Sequence, residues 1–411
     1  MSQDKIIDHL FRHQYGKMVS ILTRIFGFSN LEIIEDAVQD TFLKATHTWK
    51  DSIPENPEAW LTQAAKNRTI DLFRKIKADK TRIQNLDSGP SAIALNELFL
   101  DHEIEDSQLR MIFACCHPAL QNKDQIAFAL KTISGFNQKE IAAALLTKEE
   151  SIKKRLQRAR KTIVEQSIKF EIPSGNELES RMDNVVQVIY LIFNEGFHSN
   201  GKNNILRKDL CGEGLRLCKM ILNKESLRGN SIYSLFALMC FNSSRLETKV
   251  TDDIVVELKY QNRKKWYQPL IDLGNNSLQK AASYPTLSSY FYEASIAFQH
   301  SNAKLYTETD WKKIAFLYGK LYETYPSDFI ILNQAIALLQ LKNYEEVELK
   351  LESINALLLE QKQHLYHAVY TDFYISQNKI DKAKESIQLT IKLSQNEKEK
   401  QYFIKKFASI I

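Results

Sequence analysis

Three observations predict an all-α fold spread over two or three domains. Apolar residues recur at helical spacing through nearly the whole chain. Turn formers are sparse, with 12 Gly and 8 Pro in 411 residues. Length alone argues for more than one hydrophobic core. At 44% hydrophobic and 26% charged, the composition suits a water-exposed globular protein. No stretch reaches the roughly 18 apolar residues of a membrane span. Asp4, Lys5, Asp8 and His9 interrupt the opening residues, so no signal peptide is expected. Five scattered cysteines, an odd number, predict free thiols in a reducing compartment. These features together predict a cytoplasmic protein.

The net charge of +5 is modest, but its distribution is uneven. Lys66–Arg82 is basic, and no Lys or Arg falls between Arg82 and Arg110. Lys148–Lys161 is basic again. Two basic blocks around an acidic one predict two nucleic-acid contacts joined by a tether.

The first domain is expected over residues 1–80. Ile6, Ile7, Leu10 and Phe11 begin an amphipathic helix that continues past Gly16 to Phe26. Gly27 breaks it, and Asn30 is placed to cap the next helix. That helix carries Ile34, Val38, Phe42 and Ala45 on one face and Glu35, Asp36 and Asp40 on another. Pro57 opens a third helix. It holds Trp60 with Asn67, Arg68, Arg74, Lys75 and Lys77, a set suited to tracking and stacking on unpaired bases. Trp60 is equally suited to a core position at a helix start.

A linker over 81–104 contains Asp87-Ser88-Gly89-Pro90. A second helical domain over 105–172 ends in the chain's most informative stretch. There, Ile141, Ala142 and Leu145 form the apolar side of a short helix. Across a turn, Ile152, Leu156, Ala159 and Ile163 recur at i, i+4, i+7 and i+11. The second helix also carries Lys153, Lys154, Arg155, Arg158, Arg160 and Lys161. Lys154, Arg158 and Lys161 share a face that the apolar stripe leaves free. This is the build of a helix-turn-helix whose second helix enters a major groove; a basic helix lying on a solvated surface is the plainer alternative.

Cys115, Cys116 and His117 are adjacent. Structural zinc sites space their ligands by two or more residues, and helical neighbours point apart, which disfavours a cysteine–histidine nucleophile. Packing accounts for them, and no cofactor or metal is expected. Residues 176–411 read as helical throughout. Leu332–Ile354 and Tyr370–Ile391 form a weak internal repeat, with Tyr344 over Ile380 and Val347 over Ala383. The shift of about 36 residues is near the roughly 34-residue tetratricopeptide period. An ordinary helical bundle is the alternative.

Three motifs, EDAVQDTFLKA (Glu35–Ala45), WLTQAAKNRTIDLFRK (Trp60–Lys75) and the helix-turn-helix, stand in the order found in bacterial sigma factors of the extracytoplasmic-function type. The resemblance implies that Glu35, Asp36, Gln39, Asp40 and Phe42 bind core RNA polymerase, a partner met through its β′ and β subunits. It implies that Trp60, Asn67, Arg68, Asp71, Arg74 and Lys75 meet the −10 element of promoter DNA. Ser151, Lys153, Lys154, Arg155 and Arg158 would meet the −35 element. Ala64 stands where a larger aliphatic is common, and Leu146-Thr147 replaces the usual turn glycine.

FACCHPAL, YLIFNEGF (Tyr190–Phe197), RKDLCGEGLRL (Arg207–Leu217) and TDW (Thr309–Trp311) resemble the branch with a tetratricopeptide-like C-terminal extension. There the extension governs sigma activity, which implies a possible protein partner for it. Asn194, Glu195, Arg207 and Asp209 could form a polar network within the extension or contact the sigma domains. The resemblance implies a transcription-initiation factor rather than an enzyme. A free-standing helix-turn-helix regulator with a helical sensor domain would explain the −35 motif and the tail, but not EDAVQDTF.

Overall fold

The computed structural model describes residues 3–50, 52–81, 101–145, 147–197, 206–251, 254–356, 359, 362–394, 397–408 and 410. Most of the expected linker lies outside these residues. Helices make up nearly all of the regular secondary structure among the described residues. Two compact units are present: Met1–Asn203 with Asp209–Asn223, and Asn204–Lys208 with Lys224–Ile411.

The first unit starts with α1 (Gln3–Phe26), α2 (Leu31–Thr48) and α3 (Pro57–Thr81). Gly27 ends α1 with φ +90°, a conformation that glycine adopts freely. Asn30 sits at the start of α2, but its side chain makes no cap bond there; its Nδ2 donates back to the Phe26 carbonyl at 2.7 Å. Leu31, Ile34, Val38, Phe42 and Ala45 form the buried stripe of α2. Next come α4 (Asp101–Cys115), α5 (Asn122–Thr132), α6 (Gln138–Ala144) and α7 (Glu149–Glu165).

The first two helical domains share one interior. α1 packs along α4 and reaches α5. At Gly16 a Cβ would lie 1.9 Å from the Ile133 carbonyl oxygen, so only glycine admits this approach. Tyr15, fully buried, lies against Gly135, which holds φ +70°. Phe28 stands 6.4 Å from Phe128 and 5.6 Å from Phe170, centroid to centroid.

α8 (Asn176–Phe197) and α9 (Lys208–Asn223) complete this unit. Val185, Val188, Ile189, Ile192 and Phe193 are buried, and α8 packs on α4 and α5. Ser134 donates to Glu213 of α9 at 2.8 Å, and Arg216 grips the same carboxylate through two bonds of 2.8 Å. The extension expected to begin at 176 thus contributes its first two helices to the packing of the sigma-like part.

The second unit runs through α10 (Asn230–Ser244), the short α11 (Leu246–Lys249), α12 (Gln268–Ala282), α13 (Ser289–Asn302) and α14 (Trp311–Thr324). α15 (Asp328–Gln340), α16 (Tyr344–Glu352), α17 (Gln363–Ser376), α18 (Ile380–Leu393) and α19 (Glu397–Lys406) follow. The helical expectation misses one small feature, an antiparallel pairing of Val250 with Val255 and Thr251 with Ile254.

The internal repeat is visible in atomic detail. Lys342 and Asn378, 36 residues apart, both take positive φ, +57° and +60°. After each, a backbone N–H closes the turn in the same way: Asn343 to Leu338 at 3.2 Å and Lys379 to Tyr374 at 2.9 Å. Val347 and Ala383 are both fully buried, as are Leu351 and Ile387.

The TDW motif is structural. Arg263 donates to the carbonyls of His300 and Ala303 at the end of α13 and to Thr309, a placement that suits a cation at a helix C-terminus. Asp310 caps α14 by accepting the Lys313 N–H at 2.8 Å. Lys406 of α19 ties Asp372 of α17 to Glu257 at 2.9 and 3.1 Å, closing the end of the unit onto its beginning.

Candidate nucleic-acid interface

α6 and α7 form the helix-turn-helix. α6 opens with a reciprocal cap: the Glu140 N–H donates to Asn137 Oδ1 at 2.9 Å, and the Asn137 N–H to Glu140 at 2.8 Å. The turn closes through the Thr147 N–H onto the Ala142 carbonyl at 2.9 Å. Leu146 lies outside the described residues. The apolar stripe of α7, Ile152, Leu156, Ala159 and Ile163, is buried in full. Its consumption in packing fixes which face of α7 meets solvent.

That outer face carries Lys153, Lys154, Arg158 and Lys161, all exposed, with Ser151 and Arg155 partly covered. Two of the arginines are held by acids from other helices. Arg158 donates from Nε and Nη2 to Asp124 of α5, at 3.1 and 2.8 Å. Arg160 turns inward, donating to Glu35 of α2 at 2.5 Å and lying 3.5 Å from Glu32. With Arg160 held in this way, lysines make up most of the exposed positive charge on α7.

α2 presents Glu32 and Asp36 to solvent, with Gln39 and Asp40 half-buried. Two residues expected on this polymerase-facing side are interior. Glu35 is 1% exposed and bound to Arg160. Phe42 continues the apolar stripe and packs edge-on against Phe11 at 4.8 Å. Leu43, by contrast, is 59% exposed, next to Gln39 and Asp40 by helical spacing. Sequence reading passed over it because a leucine beside a phenylalanine reads as core.

On α3, Asn67, Arg68, Asp71, Arg74 and Lys75 are all exposed. The side chain of Lys77 lies outside the described residues. Trp60 is half-buried, its ring 5.3 Å from Trp49 and nearly perpendicular to it. Core and surface readings of Trp60 are therefore both partly met: one side packs, the other is open. Arg68 donates to Asp40 at 2.6 and 2.9 Å, which brings a residue of the expected −10 set against one of the expected polymerase set. Arg74 and Asp71 pair at 3.8 Å along the helix.

Burial raises the Glu35 carboxyl above its ordinary value, against the opposing pull of Arg160. Burial works against the Arg160 cation in turn, and Glu35 together with Glu32 and Tyr15 more than offsets it. Cys115 is a core side chain whose thiol burial pushes up to about 12, and its sulfur lies 3.0 Å from Thr132 Oγ1. His117 accepts the Ala119 N–H through Nδ1, and its carbonyl accepts from Gln125. Among the described residues no His, Cys, Asp or Glu groups cluster as metal ligands, and no helix is long and apolar enough to cross a membrane.

The family models agree with this division. Sigma-70 region 2 matches residues 10–78 and sigma-70 region 4 matches residues 110–163. A family of unknown function, DUF6596, matches residues 181–282. That match starts within α8, so it straddles the two packing units. An uncharacterized protein of Rhizobium meliloti, R00370, is 32% identical over 75% of this chain and 74% of its own length. The ferric citrate uptake sigma factor FecI of Escherichia coli is 27% identical over 41% of this chain and 92% of its own length. The RNA polymerase sigma factor CnrH of Cupriavidus metallidurans is 28% identical over 36% and 79% respectively. No solved structure matches the chain. With both sigma regions matched in order, a helix-turn-helix in the second of them, and sigma factors among its relatives, this chain belongs to the sigma-70 family as an extracytoplasmic-function sigma factor that carries an additional helical C-terminal region.

Proposed function

We propose that the protein binds core RNA polymerase through the exposed side of α2, and that α3 and α7 then engage the −10 and −35 elements of a promoter. The observation that carries this reading is the division of labour along α7. Its apolar stripe is wholly used in packing, while Lys153, Lys154, Arg158 and Lys161 stand together in solvent. Such lysines and arginines position a protein on phosphates without reading sequence. On α3, the open side of Trp60 and the exposed Asn67, Arg68, Arg74 and Lys75 suit a displaced single strand. Melting needs no nucleotide hydrolysis when binding to the unpaired strand supplies the free energy.

On this reading the protein is an initiation factor, not a catalyst, and works in the cytoplasm. Its domains are region 2 over 1–80, the 81–104 linker, region 4 over 105–172 and the extension from 176. The paired helices α15–α16 and α17–α18, with their 36-residue shift, suit a tetratricopeptide-like scaffold, which uses stacked pairs to hold another protein. The extension would govern sigma activity through such a partner.

Co-purification with core polymerase tests the first step. Asp36→Arg combined with Leu43→Glu should abolish capture, since both side chains are exposed on α2 and their loss leaves the interior untouched. Capture equal to wild type, by a variant of unchanged helicity, would remove α2 from the polymerase interface.

A further inference from the structure

Arg158 and Asp124 form an unequal pair. The Asp124 side chain is 4% exposed and the Arg158 side chain 55% exposed. The carboxylate spans Nε and Nη2 with bonds of 3.1 and 2.8 Å, which fixes the plane of the guanidinium. Asp124 stands in the first turn of α5, where a carboxylate suits the helix N-terminus. That benefit does not need the fork to Arg158, and a desolvated carboxylate whose cation is half in water gains little net stability from the pair. Its consequence is geometric: the flexible arginine is held in one place on the outer face of α7. The inner edge of the fork is used, and the outer Nη1 edge faces away from Asp124. Lys154 and Lys161, one helical turn to either side, are exposed on the same face.

We propose that Asp124 is a positioning residue for DNA binding: it pre-sets Arg158 so that the outer edge of the guanidinium meets a backbone phosphate beside the groove entered by α7. This rests on the reading of α7 as the DNA-contacting helix. Ordering a rotamer-rich side chain before binding removes part of the cost of association. The effect expected from one arginine is about three- to tenfold in affinity.

The sign of one substitution separates this from a neutral role. Asp124→Asn deletes a negative charge next to a DNA-facing surface, so simple electrostatics predicts tighter binding to a polyanion. The positioning role predicts weaker binding. The probe is a fluorescein-labelled 40-base-pair duplex of random sequence, titrated with the full chain over a range of salt concentrations. A phosphate contact needs no particular promoter.

Asp124→Asn is expected to weaken binding about three- to tenfold. Arg158→Lys, which keeps the charge and loses the fork, is expected to weaken it similarly with the salt slope retained. Arg158→Ala should lower the slope of log K against log salt by about one phosphate contact. In the Arg158→Ala background, Asp124→Asn should weaken binding no further. Unchanged or tighter binding by Asp124→Asn overturns the proposal. So does a loss in melting temperature for both single variants with affinity and slope at wild-type values, which is what mere packing gives. Lys153→Ala with Lys154→Ala is the control for the underlying reading. If that variant binds duplex as wild type does, α7 does not face DNA, and the proposal falls with that reading rather than on its own.

Discussion

Arg160 of the helix expected to read DNA donates to Glu35 of the helix expected to bind polymerase, at 2.5 Å, and the Glu35 side chain is 2% exposed. The pair joins two segments 125 residues apart in the chain. It also draws Glu35 into the interior, away from the polymerase-facing surface to which the family resemblance alone would send it. A buried carboxylate whose cation is removed costs about 3–5 kcal/mol, far more than the net worth of the intact pair. Arg160→Ala should therefore destabilise the first unit by about that amount. Replacing both residues, Arg160→Met with Glu35→Leu, should restore most of the loss. Urea denaturation of the three proteins checks this, and equal losses in the single and double variants would show that Glu35 does not depend on Arg160.

The Gly16 contact makes a sharper steric prediction. A methyl group at Gly16 would lie 1.9 Å from the Ile133 carbonyl oxygen, a backbone atom that has no rotamer to move. Gly16→Ala ordinarily stabilises a helix by up to about 1 kcal/mol through propensity. Here it should destabilise the unit, by about 1–3 kcal/mol, as overpacked cores do. A higher melting temperature for Gly16→Ala would mean that α1 and α5 do not meet as described.

Much of this was legible in the sequence, and the misses share one physical cause. The stripes of α2 and α7 followed from spacing, because burial of one face is a local property of a helix. The end of α1 at Gly27, the opening of α3 at Pro57 and the 36-residue repeat likewise followed from residues at or near the feature itself. The burial of Glu35 could not be seen because a glutamate on a charged helix face looks like surface until its partner Arg160, far away in the chain, is known. Leu43 was missed for the opposite reason: an apolar residue is exposed only if nothing distant covers it. The packing of α8 against α4 and α5 was equally invisible, since an apolar helix announces that it is buried but not against what.

That last relation bears on where the chain can be cut. Val185, Val188, Ile189, Ile192 and Phe193 of α8 are buried within the first unit, and each buried side chain of this kind is worth roughly 1.5–3 kcal/mol. A fragment ending before residue 176 should expose the facing surfaces of α4 and α5 and aggregate. A fragment ending at Asn223 should keep the unit whole. Size-exclusion chromatography with thermal melts distinguishes them, and a monodisperse, cooperatively melting 1–175 fragment would contradict the packing described.

The contribution of Glu293 to the stability of the second unit should fall as pH rises toward neutrality, while buried His300, held well below its ordinary value, works in the opposite direction. Burial pushes the Glu293 carboxyl from 4.5 up to about 7. The folded protein then holds a proton that the unfolded chain has released. Its contribution is complete below about pH 4.5 and is lost as pH rises through about 7. The melting temperature of wild type relative to Glu293→Gln should therefore fall between about pH 4.5 and 7. An identical profile for wild type and variant would mean that Glu293 is solvated.

Run-off transcription tests the central claim most directly. Purified core polymerase would be supplied with fragmented genomic DNA from the source organism, with and without this protein. The account predicts discrete new transcripts that appear only with the protein and vanish with Asp36→Arg combined with Leu43→Glu. A protein that binds duplex DNA and yields no transcript with core polymerase would contradict it.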